Sequence, residues 1–579
     1  MHERRRATDC ARQEGTLTGG GLADRAKLAA IVARRYASRS VRAATAPMRA
    51  FGRMRMRAPE RLLIAPQDIR TADATRAEDI YAGYFAFGGR IVNTQGRSPF
   101  DLHPPSVEWA RALNGFGWLR HLRAAETSLA RVNARALVDD YLGARARGPS
   151  EIFDAATTAR RILSWLSQST LVLEGAEADF YHRFMRALAR DAGQLQDALG
   201  ATAGLPHLVS TIALAAYAMC ADTPARLQVR ASAQLSDAIG AQILPDGGHL
   251  SRNPQALIDL LLDFLPLRQA YVARGAAAPP ALLNAIDRII PALRLLRHGD
   301  SSLALFNGMG VTAPDRLATV LHYDDARGMA PVSAPHSGYQ RLEAAETTVI
   351  VDAGPPPPGP YSTEAHAGCL SFEMSSGLQR IIVNCGTPAT GGPSAREAAR
   401  QTAAHSTLVI DDVSSCRIAP DTGMERVIAG QIVTGPSQVG VKRETLTEGA
   451  LLDLSHDGYA QRFGLLHERR IALKADGAQL VGEDRLAAAA SAAPAAPETF
   501  ALRFHLHPSV VAQRAGEDTA VVIDLADGQR WMFDAGGLPV QLEESVFFAS
   551  PEGARACQQI VVSGKAEPGV EVQWALSRL

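Results

Sequence analysis

The sequence has 579 residues, 60 basic and 60 acidic side chains, a net charge of zero, and 46 % hydrophobic residues. That length suggests about three domains or two large ones, and no run approaches the ~20 apolar residues of a membrane-spanning helix. A zero balance excludes a chain-wide positive field for nucleic acid.

The zero conceals an asymmetry. Residues 1–57 hold thirteen Arg and Lys27 against Glu3, Asp9, Glu14 and Asp24, a net of +10, and the remainder carries a net of −10. A basic arm therefore precedes an acidic body. Only four basic residues are Lys, an Arg bias that, with so much Ala and Gly, a GC-rich genome explains. Six scattered cysteines without CxxC spacing read as reduced thiols. The polar N-terminus has no apolar h-region, so no secretory signal is expected in the sequence as written.

In chain order, residues 1–21 read as disordered. Over residues 22–50, Leu22, Leu28, Ile31, Val32 and Tyr36 share a helical face with Arg on the others. Such a helix either lies on an anionic membrane surface or packs as an arm on the body. From Pro104 the patterns are helical. Ser106 serves as an N-cap, and Trp109, Leu113, Phe116, Trp118 and Leu122 form one buried face. Further helices are predicted near 126–147, 150–173, 177–199, 206–221, 224–243, 254–275 and 279–297, joined by short links. After about residue 330 come short alternating runs such as TTVIVDAG, RVIAGQIVTG, LLHERRIALKA and VEVQWALS. They predict an antiparallel sandwich or sheet stack, with residues 487–498 as a loop. The resulting division is an arm over 1–57, a helical domain over 58–330 and a strand domain over 331–579.

Three segments concentrate reactive side chains. In ILPDGGHLSRNP, the Asp246-Gly247-Gly248 turn presents His249 and Arg252. A guanidinium pairs bidentately with carboxylates, and an imidazole moves protons near neutral pH; the bland alternative is a helix–helix turn with a polar rim. YSTEAHAGCLSFEM clusters Tyr361, Glu364 and His366, and AAHSTLVIDD starts a strand at His405. Between them a strand ends at Asn384. His366, Asn384 and His405 could converge on one Zn²⁺, whereas single histidines at strand ends are commonly surface or cap residues. His505 and His507 form a weaker pair. HExxH, GxSxG, GxxxxGK[ST] and a strand–GxGxxG–helix are all absent, which disfavours zincin proteases, α/β serine hydrolases and nucleotide-driven enzymes.

The order of the halves, with PDGGHLSRNP, LFNGMG (305–310), HSGYQRL (336–342), EAHAGCLSFE and AAHSTLVID, resembles the heparinase II/III family of polysaccharide lyases over about residues 60–579. The resemblance implies an α+β multidomain fold: an incomplete (α/α) toroid, an antiparallel β-sandwich, and a substrate cleft between them. It also implies β-elimination on a uronate-containing acidic glycan, and export to the cell envelope in many members. That reaction neutralises the uronate carboxylate, removes the C5 proton and protonates the departing 4-oxygen. Arg252 would neutralise the carboxylate. His249 would supply the helical imidazole, His366 and His405 would act as base, orienter or metal ligands, and Tyr361 would stand in for the acid. Asn114, Trp118 and Glu364 are the expected substrate contacts.

The sequence also departs from the family. Where members often read His-Ala-His-Ala-Asp, this chain has Glu364, His366 and Gly368. Asn384 replaces a frequent Asp ligand, which would weaken zinc binding, and Gly247-Gly248-His249 replaces Asn-Asn-His. The expected function is a lyase on an acidic polysaccharide. One alternative is a non-catalytic glycan-binding protein of the cell envelope. The other is a glycoside hydrolase using Asp246 with Glu364.

Overall fold

The computed structural model describes residues 29–30, 32–33, 36–37, 58–145, 154–324, 328–490, 495–516 and 518–579. The disordered reading of residues 1–21 and most of the amphipathic reading of 22–50 lie outside them. Where the arm is described it is helical, and Val32 is buried in a small cluster with Ala419 and Ile428.

Helices dominate to Leu321. The long ones are Ser128–Arg145, Ala155–Ser167, Ala178–Ala198, Leu205–Cys220, Ala225–Gln242, Pro254–Arg274 and Pro280–Leu295, close to the predicted spans. Leu205–Cys220 is apolar on all sides and buried from Leu208 onward, as a central helix must be. Around it stand Ala155–Ser167, Ala178–Ala198, Ala225–Gln242 and Pro254–Arg274.

Two features near the start differ from expectation. The helix predicted from Ser106 through Leu122 is two helices, Val107–Gly115 and Leu119–Ala124, broken at Phe116. Phe116 adopts a left-handed φ of 58°, which places its ring among Phe100, Tyr141 and Trp165, with centroids 5.7, 5.0 and 5.4 Å away. Aromatic packing outweighs the backbone strain here. Ahead of it an unpredicted hairpin pairs Tyr84–Phe87 with Arg90–Asn93. Its turn, Gly88-Gly89, has positive φ at both positions, the geometry two-residue hairpins favour.

From Ser333 the chain is antiparallel sheet. A nine-stranded sheet runs Gln541–Phe547, Arg555–Lys565, Thr499–Leu506, Gln379–Val383, Phe372–Ser376, Thr347–Asp352, Tyr339–Ala344, Ser333–Ala334, with Leu408–Ile410 also pairing Thr499–Leu506. An eight-stranded sheet runs Val439–Leu446, Gly449–His456, Leu465–Lys474, Gln479–Ala488, Glu571–Arg578, Arg530–Asp534, Ala520–Asp524, Val511–Ala515. The two share one core, in which Phe372 stacks on Trp574 at 5.5 Å. RVIAGQIVTG, expected as a strand, is instead a 3-10 turn (Gly423–Ile428) and a short strand (Ile432–Thr434). Tyr339–Ala344, Val439–Leu446, Val511–Ala515 and Gln541–Phe547 were not predicted as strands. The last three are short of buried apolar positions, so alternation is faint.

Buried carboxylates tie these layers together. Asp484 binds Arg469 through both oxygens (2.7 and 3.1 Å), His467 (2.6 Å) and the Trp574 indole (2.8 Å). Arg469 then reaches the Leu370 and Ser406 carbonyls of the other sheet (2.7 and 2.9 Å). These cationic and donor partners hold the Asp484 carboxyl well below its usual range, against the cost of burial. Between helices and sheets, Glu373 accepts from the Leu305 and Asn384 amides, the Asn384 side chain, Arg380 and His298 at 2.5–3.3 Å, and is fully buried. Replacing it strands a buried guanidinium. Glu373→Ala is expected to cost about 3–5 kcal/mol in urea denaturation; a loss below about 1 kcal/mol would show that the seam does not depend on this carboxylate.

Candidate active-site cleft

The helical side of the cleft is the loop 244–253. Gly247 is required there: its φ is +83°, and a Cβ would lie 2.0 Å from the Arg288 carbonyl. Asp246 accepts from the His336 and Ser337 amides (2.8 and 2.7 Å) and from Ser337 Oγ (3.2 Å). Its carboxylate thus fastens the loop to the sheet.

His249 is buried, and its protonation is set by its neighbours. Nδ1 accepts the Ser251 amide proton (3.1 Å), so Nε2 carries the hydrogen and donates to Gln242 Oε1 (3.1 Å). Burial pushes the imidazole down to about 4. Tyr361 packs edge-on against it, ring centroids 6.2 Å apart. The Tyr361 ring is partly exposed, and burial raises its phenol.

Arg252 does not face the cleft. At a left-handed φ of 60°, it directs Nε to the Ser337 carbonyl (2.7 Å) and Nη1 to the Gly354 and Pro355 carbonyls (2.9 and 3.0 Å). Nη2 reaches the Gly338 carbonyl (3.0 Å) and Asp352. All five donors of a guanidinium are spent within the protein. The expectation that Arg252 neutralises a substrate carboxylate fails for this reason; it is a buried tie between the helical loop and the sheet.

On the sheet side, His366 and His405 meet as predicted, but on each other. His405 Nδ1 donates to the Gln401 carbonyl (2.8 Å), leaving Nε2 to accept from His366 Nδ1 (3.0 Å). His366 Nε2 is then left to accept from the Thr387 hydroxyl (3.1 Å). The chain of bonds fixes every tautomer. Both rings are buried; desolvation drives His405 down to about 4 and His366 well below its usual value, the latter aided by His405 and Arg400. Asn384 is committed elsewhere: its Oδ1 accepts from the Ser406 amide (2.9 Å) and its Nδ2 donates to Glu373 (3.3 Å). Among the described residues no three His, Cys, Asp or Glu stand together as metal ligands. The imidazole nitrogens a zinc ion would need are used on each other, and the amide oxygen on a backbone N–H. These residues do not fit a zinc centre. His505 lies apart, bonded to the Ala403 carbonyl and Ser545 (3.0 and 2.8 Å), while His507 bonds Ser509.

Glu364 is the exposed carboxylate of the cleft, with Asn253 Nδ2 3.4 Å from Oε2. Gly308 makes room for that pair, since a Cβ there would lie 2.9 Å from both Asn253 Nδ2 and the Glu364 carbonyl. Of the other expected contacts, Trp118 is buried in the helical core with its indole on the Leu113 carbonyl (2.9 Å), so it cannot touch a substrate. Asn114 is half-buried and donates to the Ala110 carbonyl (2.8 Å).

Three residues of the junction escaped the sequence reading. Asn253 caps its helix through the Gln255 amide (2.9 Å). Asn307 bonds Tyr339 Oη and Asp352 (both 3.0 Å), and the Tyr339 hydroxyl donates to the Arg252 carbonyl. All three lay within quoted motifs, which was the available signal.

The histidines set a pH dependence. His249 and His405 have folded values depressed from 6.5 to about 4, so the unfolded chain binds more protons between those limits. Stability is therefore full above about pH 6.5 and falls as pH drops toward 4, by about 2–3 kcal/mol for each buried imidazole. Thermal melts from pH 7.5 to 4.5 should show a falling midpoint, with a shallower fall in His405→Gln; equal slopes would contradict the assignment.

Residues 326–575 match the family described as Heparinase II/III-like, C-terminal. The chain is 32 % identical over 531 residues to FtsZ-localized protein C of Caulobacter vibrioides, covering 90 % of this chain and 91 % of that protein. Among solved structures, heparinase III superposes with a TM-score of 0.68 at 14 % identity, over 97 % of this chain and 92 % of the other. The heparan sulfate lyase HepC of Pedobacter heparinus gives 0.57 at 15 %, over 94 % and 90 %. Helices followed by antiparallel sheets are the architecture of the heparinase neighbours, and the chain belongs to the heparinase II/III-like family.

Proposed function

We propose that this protein is a non-catalytic glycan-binding member of the lyase-fold family that acts at the cell envelope beside FtsZ. In this reading a helical domain over 58–330 and a sandwich over 331–579 flank the binding cleft. The observation that carries it is the commitment of Arg252: with all five N–H groups bonded inside the protein, it cannot offset a substrate carboxylate. Without that, the C5 proton of a uronate keeps its ordinary low acidity and a base gains little. His249, His366 and His405 are neutral, buried and bonded to protein partners. The exposed Glu364 carboxylate favours a glycan that presents hydroxyls there over one that presents a carboxylate. The placement beside FtsZ rests on the likeness to FtsZ-localized protein C over nine-tenths of the chain.

One observation favours catalysis. Among the described residues the Tyr361 hydroxyl has no hydrogen-bond partner, and its ring lies against neutral His249, so it is free to exchange a proton with a ligand. A single assay separates the readings: incubation with a panel of uronate polysaccharides, following the absorbance of unsaturated uronate, with binding measured by affinity electrophoresis. No rise in absorbance is expected with any of them, and a neutral glycan added to the panel should bind more tightly than the uronates. A rise that disappears in Tyr361→Phe would establish a lyase instead. A fluorescent fusion should coincide with FtsZ, and a diffuse signal would remove the placement beside it.

A further inference from the structure

A second cavity, of about 480 Å³, opens where the loop at Leu244–Leu250 meets both sheets. Apart from the committed guanidinium of Arg252, its lining takes no part in the functional readings above. No Asp or Glu lines it. One wall is the strand Val439–Leu446, whose alternate residues Val439, Val441 and Arg443 all face the cavity. Another is the run Pro355–Pro358, and Leu244, Leu250, Pro335 and Ala353 add further apolar lining. Its polar side chains are Arg443, His336, Gln340, Ser333, Ser337 and Arg252; Ser333 accepts from Gln340, Ser337 donates to Asp246, and Arg252 is bonded within the protein.

Two of these are incompletely satisfied. Arg443 is half-buried, and its Nη1 donates to the Val332 and Arg341 carbonyls (3.1 and 3.0 Å). Among the described residues no carboxylate pairs with it, and burial alone lowers its value. A guanidinium drawn partly out of water without an anion is a costly arrangement unless an anion visits it. Gln340 donates to Ser333 Oγ (2.8 Å), while its buried Oε1 has no hydrogen-bond partner. An unpaired buried acceptor costs about 1–3 kcal/mol, recovered when a donor reaches it. The third observation is topological. Val439–Leu446 is the edge strand of its sheet, so the outer backbone groups of its ladder are open to another strand.

We propose that this cavity binds the free C-terminus of a polypeptide, the terminal carboxylate on Arg443 and His336 and the preceding residues laid along the edge strand. An extended chain adding to a sheet edge with its carboxylate held in a pocket is an established recognition mode. The lining decides between a peptide and a saccharide. Aliphatic and proline side chains suit an apolar terminal residue, whereas a sugar ring would turn several hydroxyls toward groups that cannot bond them. No aromatic platform lines the cavity. Neither Tyr361 nor Glu364 lines this cavity, so a peptide titration reads it without reference to glycan binding.

The test is calorimetric titration of the full-length protein with an acetyl-blocked tripeptide ending in Leu, its C-terminal amide, and methyl glucuronide. The free acid should bind saturably, and the amide about ten-fold or more weakly, since only the acid brings the charge. Arg443→Gln should weaken the acid by a similar factor. Because Arg443 also caps two carbonyls, Val441→Asp provides a second variant: Val441 is exposed, so the fold tolerates the change, while the new carboxylate repels the ligand's. Equal binding of acid and amide, no binding of the acid at millimolar concentration, or unchanged affinity in Val441→Asp would each overturn the proposal. Methyl glucuronide binding as well as the peptide would overturn it in favour of a saccharide.

Discussion

Everything at the junction of helices and sheets depends on burying charge in a form that protein groups alone can neutralise. Arg252 and Asp352 form an ion pair under cover, and the guanidinium's remaining donors go to four backbone carbonyls. A buried pair of this kind is expensive to desolvate and is held only when its other bonds are made. Here they are, and the acceptors come from the turn 337–338 and from 354–355, on the two sides of one hairpin. The loop that carries His249 is thereby clamped to the strand layer at Arg252, while Asp246 clamps its other end. Two charged residues of a motif that reads as chemistry serve as its anchors.

This accounts for how much the sequence could disclose. The long helices were legible because a 3.6-residue apolar period and Gly/Pro/Asp links are local facts. The break at Phe116 was not, because an aromatic ring chose the backbone conformation from across the core. Strands with buried alternate positions could be read; the edge strand Val439–Leu446, whose exposed residues dilute the pattern, could not. At the cleft, residue types were visible and their allegiances were not. Whether Arg252 points at solvent or at the Ser337 carbonyl is decided by a turn 85 residues later. The meeting of His366 with His405 was foreseen from strand ends, but the direct nitrogen–nitrogen bond between them was not.

The histidines show how a polar interior stays neutral. In the sandwich, His456 Nδ1 accepts from the Gly458 amide (3.0 Å), so its Nε2 faces His467 Nδ1 (3.4 Å), and His467 Nε2 donates to Asp484. The order repeats the logic of His366 and His405: a backbone group fixes one nitrogen, and the rest follow in sequence. Such chains leave no free lone pair to collect a stray proton, which suits a scaffold better than a site of proton transfer.

Gly368 couples two positions of the interior. A Cβ at this position would lie 2.6 Å from the His405 ring, so the space a side chain would occupy is already filled by imidazole. A side chain at 368 therefore requires His405 to move, and moving His405 breaks its bond to His366. The smallest residue of the strand approach is thus what lets the two imidazoles meet, and the pair tolerates change at 368 only as a unit.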